Sequence, residues 1–139
     1  MTTANLFRVL GARLAVGSAW QEGTHRSRNP SVVMSHELWQ RLGAQQGSVG
    51  KSITMDDAPY QVTGITEAGF QFPARSDIFR AAFLGGAQSG ETRSLYVVGR
   101  LRPGITLADA QARLDAFAGR MAAAYPQTNR EIRFRLNPL

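Results

Sequence analysis

The sequence predicts an α+β protein in two lobes, one of which is a β-α-β unit. Three observations point there. Residues 107–124 carry apolar side chains at three- and four-residue steps, the spacing of one helical face. Two strand-like runs flank that stretch, SLYVVGRL at 94–101 and EIRFRL at 131–136. A separate series of short strand- and helix-like segments lies between two polar loops, Gln21–Ser31 and Gly85–Arg93, which read as lobe boundaries.

From the N-terminus, Thr3 is expected to cap a short helix over Ala4–Leu10. Leu6, Phe7 and Leu10 share its apolar face, and Gly11 supplies a left-handed exit. ARLAVG at 12–17 reads as a strand. After the first polar loop, Val32-Val33-Met34 is a short strand and Ser35 caps a helix running through Leu42. Leu38, Trp39 and Leu42 are its expected buried side, Glu37 complements the dipole in the first turn, and Gly43 ends it. Lys51–Met55 and Tyr60–Ile65 form a hairpin around Asp56-Asp57-Ala58-Pro59. Pro59 cannot donate to a ladder, so it belongs in the turn or at the strand's first position. GFQFP at 69–73 brings Phe70 and Phe72 out of a turn, and Asp77–Leu84 is a further strand or an irregular apolar segment.

The long helix has agreeing start, face and stop signals. Thr106 and Asp109 have capping-box spacing, Leu107, Ala110, Leu114, Phe117 and Met121 fall on one face, and Pro126 stops the run. Burial of each large apolar side chain contributes about 1.5–3 kcal/mol, against about 1 kcal/mol for the cap, so packing is expected to hold this element. In 131–136, Ile132, Phe134 and Leu136 alternate with Arg133 and Arg135, as in a sheet with one wet face. Residues 95–101 are nearly continuously apolar, as in a central strand. Strand, helix and strand together favour a right-handed crossover.

At 139 residues, with 43% hydrophobic and 19% charged content, the chain is of ordinary globular composition. It has no cysteine, which excludes disulfides and thiolate metal sites. No apolar run approaches the roughly 18 residues of a membrane span, and the N-terminus lacks a signal peptide's basic and apolar regions; the chain reads as soluble. The net charge is +6, but fifteen of the sixteen basic residues are arginine, Lys51 is the exception, and they are spread from Arg8 to Arg135. That spread suits a solvated surface better than a phosphate-tracking one.

Motifs with chemical potential have structural explanations. GSVGKS at 47–52 lacks the glycine five positions before Gly50, follows a helix and precedes a strand, the reverse of a phosphate-binding loop. Ser35-His36-Glu37 has the residue types of a triad, but a triad converges from different elements, whereas these are neighbours at a helix start. His25 and His36 lack metal-ligand spacing. Asp56 and Asp57 suit a turn, and Trp20, Trp39 and Tyr60 suit a core. No catalytic, cofactor-binding or metal-ligating residue is assigned.

The ordered segments TANLFRVLGARLAVG, SVVMSHELWQRLG, VGKSITMDDAPYQVTGI, GFQFP, LYVVGRLRPGITLADAQARL and YPQTNR together resemble the periplasmic core domain of MacB-like ABC transporter permeases, of the MacB/FtsX-type superfamily. The resemblance implies a non-enzymatic domain on the periplasmic side of the bacterial inner membrane, between the first two transmembrane helices, coupled to an ATPase subunit. It implies no cofactor. Residues 1–29 and 91–139 would form a porter-like lobe of β-α-β type, with 30–90 as an inserted α/β lobe. The porter-like lobe's preceding strand has no counterpart here, as in an excised domain or a truncated reading frame. An open sheet edge would result, and with it a homodimer. A periplasmic adaptor protein is a further expected partner. Other readings stay open: a basic nucleic-acid-binding module, whose affinity would fall steeply with salt, a small hydrolase, which would need a pocket where a base such as His36 meets a nucleophile that the sequence does not name, and a stand-alone periplasmic sensor or adaptor.

Overall fold

The structure, a computed structural model, describes residues 2–20, 30–72, 74–81 and 96–139. The chain divides into two compact units, Met1–Gly85 and Gly86–Leu139.

The first unit is built on a mixed five-stranded sheet. In chain order it contains helix α1 (Leu6–Leu10), strands β1 (Leu14–Gly17) and β2 (Ser31–Met34), helix α2 (His36–Arg41), and strands β3 (Ser52–Met55), β4 (Ala58–Thr66) and β5 (Ile78–Arg80). The sheet order is β1-β4-β2-β5, with β3 also on β4. β2 and β4 are parallel, as a crossover through α2 permits, and the other pairings are antiparallel. Gln61 faces both Ser31 and Ser52, and Gly64 faces both Val33 and Gly17, so β3 and β1 lie end to end on one edge of β4 while β2 takes the other. Beyond β5, Thr2 bridges Ala81.

Strand alternation sends β2 into two cores. On one face Val33 packs with Leu6, Phe7, Trp20 and Phe79, joined by Phe70 and Phe72. The ring of Phe7 stands 5.5 Å from those of Phe70 and Phe79, distances typical of favourable aromatic pairs. On the other face Val32, Met34, Tyr60 and Val62 pack beneath Leu38 and Trp39 of α2. A sheet covered on both sides explains why all four residues of β2 are buried.

Two close approaches shape the edge where β1 meets β4. Gly17 has φ of +74°, and a Cβ there would overlap the Thr63 carbonyl. At Gly64 a Cβ would lie 3.0 Å from the Ser18 oxygen. Farther along the same edge, β3 and β4 are joined by the two-residue turn Asp56-Asp57, with φ of 50° and 59°. Positive φ at both positions matches the twist of a tight hairpin.

Several expectations shift in this unit. Thr3 does not cap α1: the N-cap is Asn5, without a side-chain bond, because the Thr3 hydroxyl donates to Asn5 Oδ1 at 2.7 Å. Gly11 is left-handed as expected. Leu42 falls just beyond α2, at its C-cap, and is 55% exposed, while Leu38 and Trp39 are half-buried. Pro59 is the second residue of β4, opposite Thr54. Ser31 opens β2 instead of closing the preceding loop. The boundary expected at residue 29 falls within this unit, since β1 belongs to the same sheet as β2 to β5. The expected loops at 21–29 and 85–93, with His25, Phe83, Leu84, Ser94 and Leu95, lie outside the described residues.

In the second unit the long helix, α3, runs Leu107–Ala124 with both bonds of the Thr106/Asp109 capping box in place. Tyr125 interrupts it and a four-residue helix, α4, follows at Pro126–Asn129. Of the expected face, Ala110, Leu114 and Met121 are half-buried but Leu107 and Phe117 are exposed, and the stripe is shifted toward Ala118, which is buried, and Gln111 and Ala122, which are half-buried. Of the strand expected at 94–101, the described part, 96–101, joins no ladder among the described residues, and neither does the strand expected at 131–136. Their composition suits a half-buried pleated surface, yet β-propensity does not supply a partner, and two strands alone are marginal in water. Instead the last segment lies along α3. Gln111 donates to the Phe134 carbonyl and accepts from the Leu136 amide, both at 2.9 Å, so one side-chain amide takes the place of a neighbouring strand. Phe134 packs 6.0 Å from the ring of Phe117.

Candidate functional site

The chemically capable side chains of the first unit gather where the parallel strands β2 and β4 end and α2 begins, the end of an α/β sheet at which ligands usually bind. Each of them is engaged within the fold. The Ser35 hydroxyl accepts from the Leu38 amide at 3.0 Å as the N-cap of α2. Thr66, fully buried at the end of β4, accepts from the His36 amide at 3.1 Å. The Ser35 amide donates to the Asp77 carbonyl at 2.8 Å, and the Asp77 carboxylate pairs with Arg41. Glu37 accepts from the Gly69 amide at 2.9 Å. That backbone hydrogen bond, followed by one to its own amide, holds the Glu37 carboxyl below the ordinary glutamate range.

These bonds make a clasp in place of a reaction centre. They tie the start of α2 to the end of β4, to the turn at Gly69 and to the entry of β5. Ser35, His36 and Glu37 do not converge: the hydroxyl and the carboxylate are turned to separate backbone amides, and the His36 ring packs edge-on against Trp39 at 5.5 Å. Asp56 and Asp57 serve the hairpin turn. Around GSVGKS, Gly50 donates to the Val62 carbonyl and the Val62 amide to that of Lys51, which makes this stretch the lead into β3. Among the described residues no group of three or more His, Asp or Glu side chains gathers in metal-binding geometry. Trp20 and Tyr60 are buried and Trp39 is half-buried. The Trp20 indole donates to the Ser31 carbonyl, and the Arg80 guanidinium donates to the Tyr60 hydroxyl at 2.6 Å.

The second unit offers a surface. Tyr96 and Val97 are 94% and 90% exposed, and Leu101, Leu107 and Phe117 are exposed as well. Residues 96–139 hold seven arginines and three acids, so +4 of the chain's +6 lies there. The overall spread of basic residues conceals that weighting. Gln111 was not singled out from the sequence, because a glutamine within an amphipathic helix carries no signature of what its amide will reach.

No helix among the described residues is long and apolar enough to cross a membrane. No curated protein sequence matches the chain. Among solved structures, the periplasmic region of MacB from Actinobacillus actinomycetemcomitans shares the fold, with a TM-score of 0.59 at 15% identity. The likeness covers 91% of this chain and 56% of that one, so the chain spans little more than half of that region. The sequence profile of the MacB-like periplasmic core domain matches residues 1–117. The ordered segments, the α+β fold and that match together show that the chain belongs to the MacB-like periplasmic core domain family.

Proposed function

We propose that this domain is a non-catalytic contact and coupling module of a MacB-like ABC transporter permease engaged in export. It moves with the permease's transmembrane helices as the ATPase subunit cycles, and it meets an adaptor protein in the periplasm. The family match over residues 1–117 carries this reading. The clasp at α2 supports it, because Ser35, Glu37, Thr66 and Asp77, the groups available for acid, base or nucleophilic work, instead fasten a helix to a sheet. A sheet with both faces filled and its helix clasped is suited to carrying displacement as a body, since packed interiors transmit strain.

The test is made in the permease that carries the domain. Replacing residues 30–81 with a short flexible linker should abolish export from energised vesicles while basal ATP hydrolysis persists. Undiminished export would sink the coupling role, and turnover of a substrate by the purified domain would sink the non-catalytic one.

A further inference from the structure

We propose that residues 131–136 form a strap that closes over the apolar stripe of α3 and opens by itself, with the Gln111 side chain as its latch. The hold on the helix is narrow. At the root of the strap the Ile132 amide donates to the Asn129 carbonyl, and the Arg133 guanidinium folds back onto the Arg130 and Ile132 carbonyls, so these bonds stay local. The strap is fastened to α3 by the Gln111 amide, which donates to the Phe134 carbonyl and accepts from the Leu136 amide, and by the ring contact of Phe134 with Phe117. The Gln111 nitrogen also donates to Asp115 at 2.8 Å, one turn along the helix, which orients the latch from within α3.

Leu114 stands three residues from both Gln111 and Phe117, about 60° of helical rotation from each. A segment gripped at both points therefore crosses over it. Ala118, one turn beyond Leu114, is buried, and Leu114 and Met121 are half-buried. In the strap itself only Ile132 and Leu136 reach half-burial, while Glu131, Arg133, Phe134 and Arg135 are exposed. Ordering an extended segment costs conformational entropy at every residue. Two hydrogen bonds from one side chain, one ring contact and two half-buried side chains oppose that cost. Segments with so few buried contacts open locally, below the global transition. Opening uncovers the stripe around Leu114 and releases a strand-patterned segment in the same step, so one amide governs both. The device goes beyond the contact-module reading and depends on neither that reading nor the clasp at α2.

The experiment uses the full chain, with native-state amide hydrogen exchange followed residue by residue by NMR. The Leu136 amide should be protected, yet exchange at least about tenfold faster than that of Val62, which donates to the Lys51 carbonyl in the first unit. Gln111→Ala should speed exchange at Leu136 about tenfold and leave the Leu114 and Val62 amides unchanged, since alanine is the strongest helix former and keeps α3 intact. A second measurement uses the absence of cysteine. Ala118→Cys places a single thiol on the stripe, and its labelling should be about tenfold faster when Gln111→Ala is added. The proposal is overturned if Leu136 exchanges as slowly as Val62, because the strap then opens only with the whole chain. It is overturned equally if Leu136 exchanges at the rate of an open chain in the parent, or if Gln111→Ala leaves Leu136 exchange or Ala118→Cys labelling unmoved. Acceleration of the Leu114 amide to the same extent as Leu136 would make strap and helix one body and overturns it as well.

Discussion

Gly17 shows how one residue fixes the join between β1 and β4. Its positive φ and its approach to the Thr63 carbonyl leave no room for a side chain, and both conditions penalise any other residue. Gly17→Ala is expected to cost at least about 1–3 kcal/mol, seen as a lower denaturant midpoint; an unchanged midpoint would mean that β1 is not held where the structure has it. Glu37 makes a second case at this scale. Its carboxyl is depressed in the folded chain by the Gly69 amide, so its contribution is present above the unfolded carboxylate range of about 4.3. That contribution is lost as pH falls through the lowered folded value. Glu37→Gln keeps an acceptor but cannot titrate. Its stability should decline less steeply than the parent's on acidification below about pH 4.5, and parallel profiles would contradict the Gly69 bond.

At the scale of elements, local signals were readable in the sequence and long-range ones were not. The Thr106/Asp109 capping box and the extent of α3 are matched in the structure because cap and periodicity lie within a few residues of one another. Loss of the Thr106 hydroxyl should cost about 1 kcal/mol of helix stability, so Thr106→Ala is expected to reduce helical circular dichroism on mild heating, with no effect on tryptophan fluorescence. The cap of α2 at Ser35 and the turn at Asp56-Asp57 were readable for the same reason. The placement of β1 beside β4 was not, because it pairs residues about fifty positions apart and no local pattern encodes that choice. At 96–101 and 131–136 the opposite holds: a nearly continuous apolar run in the first and a clear alternation in the second read as strands, but a strand exists only where another chain segment completes its hydrogen bonds, and none among the described residues does. Of the α2 clasp, Ser35 and the placing of Glu37 in the first turn were apparent, whereas the roles of Thr66, Gly69 and Asp77 appear only once the sheet brings them together.

For the whole molecule, the division at Gly85 separates a unit with two filled cores from one in which, among the described residues, Ala118 alone is buried. Both tryptophans, Trp20 and Trp39, belong to the first unit, so their fluorescence reports that unit's unfolding. Phe79→Ala empties the aromatic cluster and should cost about 3–5 kcal/mol by that signal. Leu114→Ala, on half-buried α3, should leave the fluorescence midpoint unmoved while lowering helical content. A common shift in both variants would show the two units to unfold as one.

The double grip on β4 bears on how the domain would respond to force. Tension entering through β1 is turned sideways at the three positions paired with β4, so it must shear several hydrogen bonds at once instead of unzipping them singly. From there it spreads into β2 and the helices behind it, while the β3 hairpin, farther along the same rim, carries little of the load. The first unit would thus yield abruptly, as a brittle link, with negligible give before the break.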